Sequence, residues 1–287
     1  MVVDWTYLNA FQQCPEKGHL RMELDLVPIA PNLALEFGKG IHISLDALHT
    51  FRSFEAALGR FSEYFGKYEG LDSKRTIGTA SKLLFAYFEL MKMEHWEDLP
   101  VEDSGVEEKK GELSFAIELS QEVVYKGVID RPGRYNGDLA IKEFKTSSWP
   151  TNFISNPNGQ ITGYYFGASS LLGQVTTIIV DIFGVFQPPK SGKESSRQLL
   201  FRHLQRRTKD DWERFSKDVL DTVANIKRWW EQNYWPRYTD FCSSYGGCAY
   251  QALCMDGVSQ QQREAIIQQM FREEHWTPGE PDRQKEY

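Results

Sequence analysis

The sequence predicts an α/β fold in which a central mixed β-sheet is flanked by helices. Three observations carry this. Apolar residues recur at three- and four-residue intervals from Phe37 to about Trp96, alternating and β-branched segments follow between Leu113 and Leu204, and Lys209 to Asn233 is strongly amphipathic. The period changes from helical to extended after the acidic, Pro-containing segment Glu94 to Asp103.

Residues 4–13 read as a short helix ending near Cys14-Pro15, followed by an irregular arm to about Glu36. Ile41, Leu45 and Leu48, then Leu83, Leu84, Tyr87, Phe88 and Met91, mark three or four helices. Leu113–Leu119 and Val123–Ile129 alternate as strands do, Asn136-Gly137 marks a tight turn, and Leu139–Lys145 returns as a further strand. Gln160–Leu172 is expected to be helical, Val175–Phe186 a buried strand and Leu199–Leu204 another. The closing helix carries Trp212, Phe215, Val219, Val223, Ile226 and Trp230 down one face; residues 258–274 form one more helix and the tail after Thr277 is loose. The expected organisation is a single domain: arm 1–36, helical region 37–103, catalytic αβ core 104–207, helix and cysteine segment 208–256, and C-terminal helix and tail 257–287. No internal repeat is apparent.

With 41% hydrophobic and 14% aromatic residues in 287, the chain can bury a sizeable core without staples. Its net charge of -7 excludes a basic whole-protein field, so contact with nucleic acid must come from a local patch. Met1-Val-Val-Asp-Trp-Thr lacks the basic start and apolar run of a secretion signal, and the strongest apolar run, Val175–Phe186, is short and carries Asp181. A soluble, cytoplasmic protein with no membrane partner is expected. Disulfides are disfavoured there, so four cysteines, three of them within thirteen residues, call for a metal or cluster.

Asp130 closes one predicted strand, and Glu143-Phe-Lys145 lies on the strand returning from the Asn136-Gly137 turn. Residues two apart on a strand share a face, so Glu143 and Lys145 point together while Phe144 points into the core. Two carboxylates and an ammonium group converging on one face are costly to bury unless they bind something, and hard oxygen ligands suit Mg²⁺ or Mn²⁺. Such an ion lowers the pKa of a bound water and offsets charge on a phosphate, while Lys145 positions the water or stabilises the developing charge; this is the chemistry of phosphodiester hydrolysis. Taken alone, an Asp and an E-x-K are better explained as solvated residues on an exposed strand face. The ordered set His42, Asp130, Glu143-x-Lys145 and Gln160-x-x-x-Tyr164, each on the element type required, is what carries weight.

Cys242, Cys248 and Cys254 follow the long helix as C-x5-C-x5-C, and Cys14 is the remaining cysteine. Four thiolates satisfy an Fe-S cluster or a tetrahedral Zn²⁺, with none left over. The close C-x2-C pairs usual for structural zinc are missing, and two disulfides are a distant third reading. Between Lys190 and Lys209, Lys190, Lys193, Arg197, Arg202, Arg206, Arg207 and Lys209 stand against Glu194, a local balance of +6. A basic hairpin beside an acidic metal site would draw DNA phosphates toward it, with Arg202, Arg206 and Arg207 as candidate DNA contacts, and a solvated loop explains the same charges equally well. Tyr164, Tyr165 and Phe166 offer faces for stacked bases, Phe166 more readily as core. There is no G-x-x-x-x-G-K-(S/T) loop, so ATP-driven motion must come from another chain, such as a helicase or recombination partner.

The arm Trp5-Thr-Tyr-Leu-Asn-Ala-Phe-Gln-Gln-Cys14-Pro15, Gly38-Lys-Gly-Ile-His42-Ile-Ser-Leu-Asp46, Gly127–Asp130, Glu143-Phe-Lys145-Thr146 and Gln160–Tyr164 stand in one order. In that order they resemble the RecB-like branch of the PD-(D/E)XK nuclease superfamily, which includes phage exonucleases, AddB-type nuclease domains and CRISPR adaptation nucleases. The resemblance covers most of the chain. It implies a restriction-endonuclease-like core with a helical insertion, and a metal-dependent DNA nuclease acting on ends without sequence specificity, in a bacterial or phage setting. Within it a structure-specific endonuclease of repair or spacer acquisition, or a non-catalytic DNA-binding assembly subunit, is the alternative. By the same resemblance Asp130 and Glu143 are the main metal ligands, His42 an additional one, Lys145 the catalytic lysine, and Gln160 and Tyr164 hold the lysine or the DNA backbone. A 4Fe-4S cluster on Cys14, Cys242, Cys248 and Cys254 would clasp the arm to the C-terminal region, although many members have C-x2-C-x5-C where this chain has the wider first spacing. A toroidal homo-oligomer would imply processivity.

Overall fold

The computed structural model describes residues 1–99, 111–153, 158–187, 197–243 and 247–279. In chain order the first half contains β1 (Val2–Val3), α1 (Trp5–Gln13), α2 (Pro15–Gly18), β2 (Leu26–Pro28), α3 (Leu33–Phe51), α4 (Phe54–Phe65), α5 (Ile77–Met93), β3 (Trp96–Asp98), β4 (Leu113–Ser120) and β5 (Val123–Ile129). There follow β6 (Arg131–Tyr135), β7 (Asp138–Ser147), α6 (Gly159–Leu172), β8 (Thr177–Gly184), β9 (Leu200–Gln205), α7 (Lys209–Gln232), α8 (Gln251–Cys254), α9 (Gln260–Met270) and β10 (Phe271–Glu273). These elements form two compact units. One comprises Asn32–Leu113 and Val128–Arg207, the other Met1–Pro31, Ser114–Gly127 and Thr208–Tyr287. The helical region and the predicted catalytic core thus fold mainly as one body. Among the described residues no helix is long and apolar enough to cross a membrane.

In the first of these units, local chemistry sets the helix starts. The side chains of Asn32, Ser53 and Thr76 each accept a hydrogen bond from an otherwise orphaned N–H in the first turn of α3, α4 and α5. The apolar stripe of α3, Phe37, Ile41, Leu45 and Leu48, is fully buried with Phe61 and Phe65 of α4, Leu83, Leu84 and Tyr87 of α5, and Phe144 and Phe183 of the sheet. Gly40 permits the close crossing of α3 and α4, since a Cβ there would stand 2.8 Å from the Phe61 ring.

The sheet of this unit has the order β3-β6-β7-β8-β9, with β7 and β8 parallel and the other neighbours antiparallel. The central mixed sheet is therefore present. Asn136 (φ 52°) and Gly137 (φ 90°) close the β6–β7 hairpin between the paired Tyr135 and Asp138, both in the left-handed region a two-residue turn requires. Two of its strands carry no clear sequence signal. Pro132 and Gly133 argue against a strand, yet β6 forms because a Cβ on Gly133 would strike the Trp96 ring at 2.2 Å: the glycine is what lets β3 lie against it.

Beneath β7 and β8 lies a charged network. Lys142, fully buried, pairs with Glu94 and donates to Tyr87 Oη at 3.3 Å. Glu94 also accepts from Arg202 at 2.6 Å, and Arg202 grips Asp181 with two bonds of 2.6 and 2.7 Å. This explains how the apolar run tolerates Asp181, whose register partner is Arg202 itself.

The second unit has a three-stranded sheet, β1-β5-β4, and the pair β2-β10. Helix α7 starts with a reciprocal capping box between Thr208 and Asp211 and buries Phe215, Val219, Val223 and Ile226. Trp229 continues that face, whereas Trp230, expected on it, is 44% exposed. Two further expectations are corrected. The arm is not irregular to Glu36: it holds α2, a π-helical turn at His19–Glu23 and β2, and α3 already starts at Leu33. The last helix stops at Met270, because Phe271–Glu273 pair with Leu26–Pro28 and bury Phe271 among Leu20, Leu26, Tyr250 and Leu253. Tertiary pairing overrides the helical period there.

Removing Lys142 should expose how much the buried network holds. Lys142→Ala leaves Glu94 with Arg202 alone, and a loss of about 3–5 kcal/mol is expected for breaking a buried pair. Urea unfolding with an unchanged m-value measures it; a loss under about 1 kcal/mol would show the pair to be dispensable.

Candidate active site

The site grows from the edge of β7. The β6–β7 ladder ends at the pair Arg131–Lys142, so the backbone of Phe144 is left without a strand partner on that side. Asp130, between β5 and β6, fills the gap: its Oδ2 accepts from the Phe144 N–H at 2.7 Å. His42 from α3 meets the same peptide edge, with Nε2 3.1 Å from the Phe144 carbonyl and Nδ1 3.3 Å from Asp130 Oδ1. A carbonyl and a carboxylate both favour a protonated nitrogen opposite them, so this pairing favours the imidazolium form of His42. Phe144 packs inward among Tyr87, His49 and Phe183, and its neighbours Glu143 and Lys145 turn to the other face. There Lys145 Nζ lies 2.5 Å from Glu143 Oε1, while Glu143 Oε2 is buried with no hydrogen-bond partner among the described residues.

Electrostatics separate the two carboxyls. Burial, with the Asp130 charge added, pushes Glu143 up to about 8 against the pull of Lys145. Burial acts to raise Asp130 too, but His42 and Lys145 outweigh it and hold Asp130 below the usual carboxylate value. His42, which burial alone would lower, is raised to about 9 chiefly by Asp130. Lys145 is likewise raised, Glu143 and Asp130 overcoming its burial.

Two acidic residues join this neighbourhood that the motif reasoning did not assign a role. Asp46, one turn beyond His42, is pushed up to about 6 by burial and is bonded to Arg131 Nη2 at 2.6 Å. Glu112 is pushed up to about 7 by burial and by the charges of Asp130 and Asp46. A signal for Asp46 existed in its i, i+4 spacing from His42; for Glu112, just outside β4, there was none. Among the described residues no three His, Cys, Asp or Glu side chains already stand in metal-ligating geometry. His42, Asp130 and Glu143 are instead adjacent and held by the contacts above.

Gln160 and Tyr164 fall one turn apart on α6 as expected, with Gln160 Nε2 donating to Tyr164 Oη at 2.9 Å. The three arginines proposed for DNA separate. Arg202 is committed to Asp181 and Glu94. Arg207 is buried and donates to Thr162 Oγ1, the Arg206 carbonyl and Gln205 Oε1 at 2.8, 2.9 and 2.8 Å. In both, the guanidinium donors are engaged within the fold. Arg206 alone remains exposed. Lys190, Lys193 and Glu194 lie outside the described residues.

In the other unit the arm carrying Cys14 meets the segment that follows α7. The Tyr238 N–H donates to Cys14 Sγ at 3.4 Å, and Arg237 Nη1 donates to the Cys254 carbonyl at 2.9 Å. The Cys248 N–H donates to the Cys242 carbonyl at 2.8 Å, and Gly247 before it has φ 106°. Burial pushes the Cys254 thiol up to about 11, with Glu16, Cys248 and Cys14 adding to the shift against Arg237. All four are free thiols.

The fold so defined, a mixed sheet with flanking helices, has a solved counterpart. A crystal structure of a protein from Eubacterium rectale, provisionally named an exonuclease, superposes with a TM-score of 0.50 at 13% sequence identity, over 84% of this chain and 86% of that one. At that identity the likeness establishes shared fold alone. No protein-family model and no curated protein matches the chain.

The His42 imidazolium gives a direct check on this geometry. In metal-free protein its ring should titrate near 9 by NMR, and in Asp130→Asn it should fall below the ordinary histidine value near 6.5, because burial is then no longer outweighed. A titration unchanged by Asp130→Asn would contradict the pairing.

Proposed function

We propose that the chain is a divalent-metal-dependent deoxyribonuclease of the PD-(D/E)XK type, hydrolysing phosphodiester bonds from DNA ends without reading sequence. One observation carries this: the Glu143 oxygen left buried and unpartnered beside Asp130 and His42, with Lys145 two residues on. An orphaned carboxylate oxygen is costly to bury, and a second carboxylate and an imidazole at hand make a donor set suited to Mg²⁺ or Mn²⁺. Such a cation supplies a water of lowered pKa and offsets charge on the scissile phosphate.

The protein's own groups have distinct parts. Asp130 is oriented by the Phe144 amide and kept ionised by His42, so it is ready as a ligand at neutral pH. Glu143 is protonated there until it is drawn into ligation, and the proton must leave. His42 can ligate only through Nδ1 and after losing its proton, since Nε2 is held by the Phe144 carbonyl. Lys145 then has its ammonium free to position the attacking water or stabilise the developing phosphate charge. Gln160 and Tyr164 are assigned to steadying the lysine or the DNA backbone. The provisional name of the Eubacterium rectale counterpart adds support to the exonuclease form of the reading.

Cys14, Cys242, Cys248 and Cys254 are proposed to hold a 4Fe-4S cluster, with Zn²⁺ as second choice. Four sulfur donors, with Cys14 and Cys248 each acting electrostatically on Cys254, suit the chemistry of such a group, which would tie the arm to the segment after α7. DNA is the proposed partner, with a helicase or recombination protein, or further copies of the chain, supplying motion or processivity.

End-labelled linear DNA and closed circular DNA, each with Mg²⁺ or Mn²⁺, test the activity against Asp130→Ala prepared identically. The expected result is degradation of the linear substrate, sparing of the circle, and a loss of at least about 100-fold in the variant. Cutting of the circle would favour the structure-specific endonuclease. Equal rates for both proteins would overturn the site, and no cutting by either would favour a DNA-binding subunit.

A further inference from the structure

A cavity of about 270 Å³ opens at the end of the larger sheet where β7 and β8 begin and β9 finishes, lined by Asp138, Tyr165, Gln174, Thr176, Arg206 and Arg207 among others. It is separate from the site described above. The register aligns Glu143 with Val180 and Val180 with His203, and Arg206 lies three residues beyond His203, away from Lys145. Three residues along and two strands across place the two backbones about 10 Å apart in each direction.

The lining is built for one anionic group with a flat neighbour. Arg207 is a fixed wall, anchored by its bonds to Thr162, Gln205 and the Arg206 carbonyl, and the last of these also fixes the backbone from which Arg206 projects. The Arg206 guanidinium is exposed and makes no ion pair with a described residue. Gln174, also exposed, adds amide donors. Tyr165 presents its ring at the same opening, held edge-on to Phe166 at 5.1 Å, and its hydroxyl senses both arginines. Two arginines against Asp138 leave the lining one positive charge in excess, enough for a single phosphodiester, and Asp138 can accept from a sugar hydroxyl. A guanidinium fork beside an aromatic face is the combination that holds single-stranded nucleic acid without base reading. The volume sits just below the range of about 300–1,000 Å³ usual for small-molecule pockets, which suits one nucleotide step.

We infer that this cavity is an accessory strand-binding subsite, taking one backbone phosphate on Arg206 and Gln174 and packing the attached sugar or base on Tyr165. The inference rests on the nucleic-acid reading of the catalytic site, and it places part of the strand's affinity away from the metal ligands.

Fluorescence anisotropy of a labelled single-stranded oligonucleotide in EDTA tests it, since no cutting intervenes. Arg206→Glu should weaken binding at least about tenfold and lower the salt slope by about one, whereas Arg206→Lys should keep the slope. Tyr165→Ala should weaken binding about fivefold or more with the slope unchanged. A nucleoside 5′-monophosphate should compete better than inorganic phosphate. Thermal melting serves as the fold control, and Arg206 is exposed, so its variants should melt as the parent does. Unchanged affinity and slope in Arg206→Glu overturn the inference, as does binding of inorganic phosphate at this arginine without any effect on the strand. Loss of cutting in every assay with Arg206-dependent binding retained would sink the nuclease reading alone; normal cutting with Arg206-independent binding would sink this one alone.

Discussion

The arrangement depends on a ladder that stops early. Had β6 continued beside β7 past Arg131–Lys142, the Phe144 peptide would be paired with backbone and no side chain could reach it. Because it stops, one carboxylate and one imidazole satisfy the N–H and the carbonyl that the sheet leaves open. The cost of an unpaired buried peptide is what draws Asp130 and His42 to the same point, and Glu143 and Lys145 flank that point because they are the residues on either side of Phe144. A hydrogen-bonding requirement of the fold and the convergence of titratable groups are the same event.

Strand alternation lets β7 serve two purposes. Its even residues, Lys142 and Phe144, face the helices, where Phe144 completes the aromatic core and Lys142 enters the network with Glu94, Arg202 and Asp181. Its odd residues, Glu143 and Lys145, face the other way. The strand that displays the reactive pair is thereby anchored on its reverse by apolar packing and by ion pairs too deep to be screened by salt. A site that must hold two carboxyls close together needs such a rigid base, since burial, with repulsion from Asp130 added, already lifts the Glu143 carboxyl to about 8.

Much of this was legible in the amino-acid order because it rests on short-range rules. The Asn136-Gly137 turn, the E-x-K alternation and the helix periods of α3 and α5 depend only on neighbours in sequence, and each is where those rules place it. What was not legible depends on distant partners. Strand β6 contains Pro132 and Gly133 and forms only because Trp96 fills the space over the glycine. Arg202 and Arg207 look like surface charge in a basic run, and only the register of β9 against β8 and the position of Thr162 reveal that their donors are consumed inside. Glu112 is drawn to the site by chain topology, with no motif to mark it. Cys14 shows the same dependence on distant partners: its Sγ accepts a hydrogen bond from the Tyr238 N–H, 224 residues away, which no local pattern announces.

The central claim is that the unpartnered Glu143 oxygen, Asp130 and His42 form one divalent-cation site. Calorimetric titration of Mn²⁺ in buffers of different ionisation enthalpy measures both affinity and protons released. Binding at pH 7 with proton release is expected, because Glu143 and His42, raised to about 8 and about 9, favour their protonated forms there. That release should fade as the pH passes 9, and the binding should be lost in Glu143→Gln. Binding of equal affinity in Glu143→Gln, or binding at pH 7 without any proton release, would contradict it.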